Sequence, residues 1–222
     1  MKIITYIKYF YFLVDNWGFK IAWYMIRQEI KGENKYGINT TGADELQKLD
    51  MLGIDISHAT IYMPVSFTLL EEIFNQIPIT SRNHFLDMGC GKGRALCIAA
   101  HAGFKQVTGI DISKDLCDST KENLTLTVKK IPTFSFKVIN NDAFYFEIPD
   151  DVDCIFFFNP FDEIIMSAVV NNIFESLQSN PRKINIIYVN PLHKEQFLNA
   201  GYTETWHRKK LKYIEAVILK NI

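Results

Sequence analysis

Over roughly the last two-thirds of the chain, short apolar runs alternate with longer segments whose apolar positions recur every three or four residues. The runs predict buried strands and the longer segments predict amphipathic helices. Phe85-Leu86, Gln106–Asp111, Phe134–Ile139, Asp153–Phe158 and Ile184–Val189 are the strand candidates, most of them closed by an acid or an amide. Between them, helices are expected over Ala95–Ala102, from a Ser113 cap through Leu124, over Glu163–Leu177, and briefly after Pro191. Upstream, Phe67, Leu70, Phe74 and Ile77 share one helical face, which Pro78 stops.

The ending differs. Thr203–His207 and Tyr213–Lys220 are β-like runs joined by Arg208, Lys209, Lys210 and Lys212, so a terminal antiparallel hairpin is expected with a solvated basic tip. The alternation predicts an α/β domain with a doubly wound, seven-stranded, mostly parallel sheet. Its ligand crevice belongs at the carboxyl ends of the strands.

The beginning has another texture. Ile3–Ile26 is rich in Ile, Tyr, Phe and Trp, but Lys8, Asp15, Gly18 and Lys20 interrupt it. A spanning helix needs about 20 largely uncharged residues, and no small-residue cleavage site follows. The segment therefore reads as an N-terminal helical extension packed on the domain, with peripheral membrane docking or a dimer contact through residues 1–30 left open. Lys31–Ala59 is polar and glycine-containing, which suggests an irregular, lid-like stretch. The division expected is 1–59 for the extension and 60–222 for the domain.

Composition adds limits. With 222 residues, 48% of them hydrophobic, the chain can bury a sizeable core, and its net charge of −1 supplies no global field for nucleic acid. Cys90, Cys97, Cys117 and Cys154 form no CxxC pair, so neither a metal site nor a disulfide framework is indicated and the chain reads as cytoplasmic.

Chemistry concentrates in Phe85–Cys97, FLDMGCGKGRALC, where a strand meets a helix through Gly89, Gly91 and Gly93. Glycines there allow a sharp turn and close backbone approach to a ligand. Asp111 ends the next strand, 18 residues beyond Gly93, where a carboxylate can accept hydrogen bonds from ribose hydroxyls. Asn140, Asn141 and Asp142 end the third strand, and Asn159-Pro160 the fourth.

Asp87-Met-Gly89-Cys90-Gly91-Lys-Gly93 resembles the first motif, D-x-G-x-G-x-G, of class I S-adenosylmethionine-dependent methyltransferases. The likeness runs from about Tyr62 to the C-terminus, including the terminal hairpin, and implies a Rossmann-like methyltransferase fold with S-adenosylmethionine as cofactor. By that resemblance Gly89, Cys90, Gly91 and Gly93 border the cofactor, Asp87 faces its amino group, Asp111 with Ile112 its ribose, and Asp142 with Ala143 and Phe144 its adenine. Asn159-Pro160-Phe161 is similar to the (D/N)-P-P-(Y/F) motif of enzymes that methylate amino or amide nitrogens, without the second proline. Asn159 would aim an acceptor nitrogen and touch the cofactor, and Phe161 would support the substrate or the passing cation.

Tyr62-x-Pro64-x-Ser66 resembles the segment ahead of this motif in small protein-lysine methyltransferases, where Tyr62 and Ser66 would close over the methionine end. Read without the likeness, Ser66 is a helix cap and Tyr62 a core aromatic. His193 could reach the crevice rim or start a helix. The resemblance implies a methyltransferase acting on a protein side-chain nitrogen of lysine type. A small molecule or a nucleic-acid amino group is the alternative acceptor, nucleic acid being disfavoured by charge, and a non-catalytic cofactor-binding or membrane-associated interaction protein is the alternative of another class.

Overall fold

Strand residues with side chains of opposite parity feed two separate cores, and this places one sheet in the middle of the domain. A computed structural model of the chain describes residues 2–42, 64–158, 161–210 and 214–221. The strands are β1 (His84–Met88), β2 (Gln106–Asp111), β3 (Ser135–Asn140), β4 (Cys154–Phe158), β5 (Asn185–Val189), β6 (Thr203–Lys210) and β7 (Ile214–Lys220). They form one seven-stranded sheet in the order β3-β2-β1-β4-β5-β7-β6. β1 to β5 pair in parallel, and β7 runs antiparallel to both β5 and β6.

Helices cover both faces. On one side α3 (Phe67–Gln76), α4 (Arg94–His101) and α5 (Lys114–Lys130) meet Phe85, Val107, Phe156 and Ile187. Here Phe74, Phe85 and Phe104 pack ring to ring at 5.2–5.8 Å. On the other side α6 (Glu163–Ser179) and α7 (Lys194–Asn199) meet Leu86, Ile155, Phe157 and Tyr188. Each large apolar side chain buried this way contributes roughly 1.5–3 kcal/mol. Strand order reverses between β1 and β4, so their carboxyl ends diverge into a crevice.

The N-terminal segment is not one helix. α1 (Lys2–Trp17) and α2 (Phe19–Tyr36) are separated by Gly18, whose φ of 79° breaks the helical path. They pack on each other through Tyr9, Leu13, Ala22 and Ile26. The expected irregular stretch from Lys31 is corrected at its start, because α2 runs on to Tyr36. Glu29, Gly32, Glu33 and Tyr36 recur at helical spacing and are all buried, but this inner face is polar and gave no hydrophobic signal. Residues 43–59 of the lid-like stretch lie outside the described residues.

Two other expectations need adjustment. α5 extends six residues past Leu124, since Thr127 continues its inner face and Lys129 and Lys130 suit its C-terminus. The basic run is not confined to a hairpin tip: Arg208 and Lys209 are exposed strand residues, paired to Glu72 at 3.1 Å and Glu215 at 3.2 Å.

Candidate active site

The glycine turn is held from below by two neighbours. Gly89, Gly91 and Gly93 have φ of 84°, 55° and 77°, and the amides of Gly89 and Cys90 donate to the Ile110 carbonyl at 3.0 and 2.9 Å. From α5, Thr120 Oγ1 donates to the Gly91 carbonyl at 2.6 Å and Asn123 Nδ2 to the Lys92 carbonyl at 3.0 Å. A Cβ at Gly93 would lie 2.7 Å from Thr120 Cγ2. One at Gly109 would lie 2.5 Å from Leu96 Cδ1 and 2.9 Å from Cys90 Sγ, so β2 needs a glycine there to lie against the turn. The Cys90 side chain accordingly belongs to the core under the turn.

The acids at the strand ends differ in setting. Asp111 closes β2, its Oδ2 accepting from the Gly91 amide at 2.8 Å and its Oδ1 from the Ser113 amide at 2.9 Å. Burial pushes its pKa up to about 6, and those two amides hold it back from rising further. The residue keeps an opening to solvent, so a ligand can reach it. Asp87, inside β1 opposite Gly109 and Phe156, is 3% exposed. Burial first, and then the Asp111 charge, raise its carboxyl well above the usual range. Asp142 caps the short turn Ala143–Tyr145 by accepting from the Phe144 amide at 2.9 Å. Asn140 Nδ2 ties β3 to β2 through the Asp111 and Ile112 carbonyls, at 2.9 and 2.7 Å. Gly89, Cys90, Gly91, Gly93, Asp111, Ile112, Asp142 and Ala143 thus lie in the loops and strand ends at the carboxyl edge of β1, β2 and β3, with Asp87 one residue inside.

A buried polar network behind the turn was missed in the sequence. Arg94, first residue of α4, donates from Nη1 to Glu29 Oε1 at 3.0 Å, from Nη1 to the Val65 carbonyl at 2.8 Å and from Nε to Thr40 Oγ1 at 2.8 Å. Its Nη2 also pairs with Glu29 Oε2, and its guanidinium lies 4.0 Å from the Phe67 ring centroid. Glu33 Oε1 accepts from the amides of Thr40 and Thr41 at 2.6 and 2.7 Å, while Tyr6 of α1 donates to Glu33 Oε2 at 2.5 Å. Asn123 bridges again, its Oδ1 accepting from the Asn39 amide at 2.7 Å. The extension is therefore bonded to the residues that shape the turn. The available signal was the pair Glu29 and Glu33, one helical turn apart on an otherwise inward face.

Other expected residues fall as follows. Ser66 caps α3, accepting from the Leu69 amide at 3.1 Å, and adjoins the Val65 carbonyl held by Arg94. Phe161 is half-buried against the α6 core, three residues past the end of β4. Tyr62, Asn159 and Pro160 lie outside the described residues. His193 precedes α7 without capping it. Nearby, Asn190 has the one positive φ of a non-glycine among the described residues, 49°, and its amide donates to the Glu215 carbonyl at 2.7 Å. Among the described residues no group of three or more His, Cys, Asp or Glu could hold a metal ion.

Residues 85–180, from β1 to the end of α6, match the family described as methyltransferase domain. The chain carries a methyltransferase domain. The fold has wide company among solved structures. The chain is similar to yhhF from Escherichia coli, described as a methyltransferase, at 16% identity and a TM-score of 0.55 over 72% of this chain and 87% of that one. It is similar to a Haemophilus influenzae protein described as a methylase, at 20% identity and a TM-score of 0.51 over 70% and 94% of the two chains. Its likeness to the S-adenosylmethionine-dependent methyltransferase SibL has 12% identity and a TM-score of 0.54, over 68% and 54%. A comparison with curated proteins finds no match.

The fold is that of the class I enzymes, a parallel sheet ending in an antiparallel hairpin, and the methyl donor of this methyltransferase domain is S-adenosylmethionine. When bound, that cofactor supplies a methyl group on a cationic sulfur, which departs as a neutral thioether. The turn fits such a group: it is built from glycines, beside an Asp111 that remains reachable, and it need not cradle a phosphate.

Proposed function

We propose that the domain transfers the methyl group of S-adenosylmethionine to a nitrogen of a protein side chain, of lysine type. The observation that carries this reading is the position of β4. It lies between β1 and β5, beside the strand that feeds the glycine turn, and the chain continues from its carboxyl end as Asn159-Pro160-Phe161. An amide oxygen and a backbone carbonyl at such a point can accept hydrogen bonds from an amine and aim its lone pair at the methyl carbon. Alignment of this kind can supply roughly 7–11 kcal/mol of a barrier without a metal. A lysine amine must first lose a proton, to solvent or to a nearby carboxylate.

In this reading Asp111 accepts from the ribose hydroxyls, Asp87 faces the amino group of the cofactor, and Asp142 with Ala143 borders the adenine. Tyr62 and Ser66 stand on the methionine side. The test is to incubate an extract of the protein's own cells with the enzyme and methyl-tritiated cofactor, then hydrolyse the acid-insoluble fraction. Tritium in methylated lysine, lost with Asn159→Ala while cofactor binding persists, is the expected result. Label confined to small molecules or nucleic acid would assign a different acceptor.

A further inference from the structure

The outer surface of the α1–α2 hairpin takes no part in the domain core. Ile4, Ile7 and Tyr11 of α1 are 61%, 51% and 64% exposed, and Phe19, Trp23 and Tyr24 of α2 are 64%, 52% and 57% exposed. Phe10, Phe19 and Trp23 gather into one aromatic group, with Phe10 at 5.7 Å from Phe19 and 6.4 Å from Trp23. Charge is segregated with them. Residues 2–31 hold five Lys or Arg against two acids, whereas the whole chain is −1, so the remainder is net negative. One of the two acids, Glu29, is buried on Arg94, leaving Asp15 against exposed Lys8, Lys20, Arg27 and Lys31. Lys20, Arg27 and Lys31 follow an i, i+7, i+11 spacing and form one stripe along α2, interleaved with Tyr24.

We infer that this hairpin docks the protein on an anionic lipid surface, lying in the interface plane. Exposed aromatic and aliphatic side chains suit the boundary between headgroups and acyl chains, and the cationic stripe suits anionic headgroups. Among the described residues no helix is long and apolar enough to cross a membrane. A second copy of the chain fits less well, because an isologous contact on this face would set the stripes of Lys20, Arg27 and Lys31 against each other. The inner face of the same helix carries Glu29 and Glu33, so docking and support of the glycine turn use opposite sides of α2.

The test is co-sedimentation of the full chain with vesicles of phosphatidylcholine alone and with about one-third phosphatidylglycerol. Binding to the anionic vesicles alone, falling as salt rises and weakened at least about tenfold by Lys20→Glu with Arg27→Glu, is expected. Because both substituted side chains are exposed, the variant should keep its helical circular dichroism. A blue shift of tryptophan emission on adding anionic vesicles to the unmodified chain gives a readout that needs no variant. Absence of binding, equal binding to neutral vesicles, or a dimer that buries this face in place of vesicle binding would overturn the inference.

Discussion

Arg94 and Glu29 form a buried ion pair, Nη1 to Oε1 at 3.0 Å, that joins the first residue after the glycine turn to the N-terminal extension. Neither side chain is more than 6% exposed. Two charges taken out of water need excellent geometry, and here the guanidinium also bonds Thr40 and the Val65 carbonyl. The extension is therefore bonded into the structure behind the glycine turn rather than being an appendage.

Removing Glu29 takes from the buried guanidinium the carboxylate that its Nη1 and Nη2 bond. Glu29→Ala should cost roughly 3–5 kcal/mol in stability and weaken cofactor binding, while Glu29→Leu with Arg94→Met should recover much of the stability. Urea denaturation and calorimetry on the three proteins check this. Equal losses in the single and double variants would show that the pair is not the linking element.

At Gly93, two constraints act together. Its φ of 77° strains any side chain, and a Cβ would stand 2.7 Å from Thr120 Cγ2. Gly93→Ala should lower stability by about 1–3 kcal/mol and abolish most cofactor affinity. Adding Thr120→Ser removes the crowding methyl but retains the hydroxyl that bonds the Gly91 carbonyl, so stability should recover only in part. Full recovery in thermal melts would mean that backbone strain contributes nothing.

The strand-end acids predict a pH dependence with two opposite signs. The Asp111 pKa is raised from 3.8 to about 6 in the ligand-free fold, so its contribution to stability is fully present below about 4 and is lost as pH rises through 6. Cofactor binding runs the other way, because ionised Asp111 and Asp87 accept best from ribose hydroxyls and a cationic amino group. Affinity should rise between pH 5 and about 7, with net proton release on binding. Calorimetry in two buffers of different ionisation enthalpy measures that release, and affinity that is flat or falling over this range would contradict both roles.

Much of the domain was legible because parallel strands buried on two faces read as continuous apolar runs. Cys154–Phe158 and Asn185–Val189 emerged within a residue of their expected bounds. The turn was legible through its company rather than its glycines alone, since Asp111 and Asp142 follow at the ends of the next two strands and the chain closes in a hairpin. What stayed hidden was polar burial. Glu29, Glu33, Thr40, Thr41 and Arg94 resemble solvated surface in the sequence, and only long-range contact, Arg94 with residues 54 and 65 positions away, makes them interior. Pattern also overestimated the basic tip, because the partner Glu72 is distant in sequence from Arg208.

Packing between α2 and α3 gives a sharper check on the same hidden interface. A Cβ at Gly32 would fall 2.2 Å from Phe67 Cδ2, in the ring that also faces Arg94. Gly32→Ala should destabilise the protein by about 1–3 kcal/mol despite its gain in helix propensity, and Phe67→Leu should relieve part of that loss. A stabilised Gly32→Ala protein in chemical denaturation would contradict the packing.

We propose that the glycine turn and Asp111 form the S-adenosylmethionine site of the domain. Titration calorimetry of the folded, full-length protein with S-adenosylmethionine tests it most directly. One cofactor per chain is predicted, with affinity reduced at least about tenfold by Asp111→Ala. No binding by protein whose circular dichroism shows it folded, or affinity unchanged by that substitution, would contradict the account.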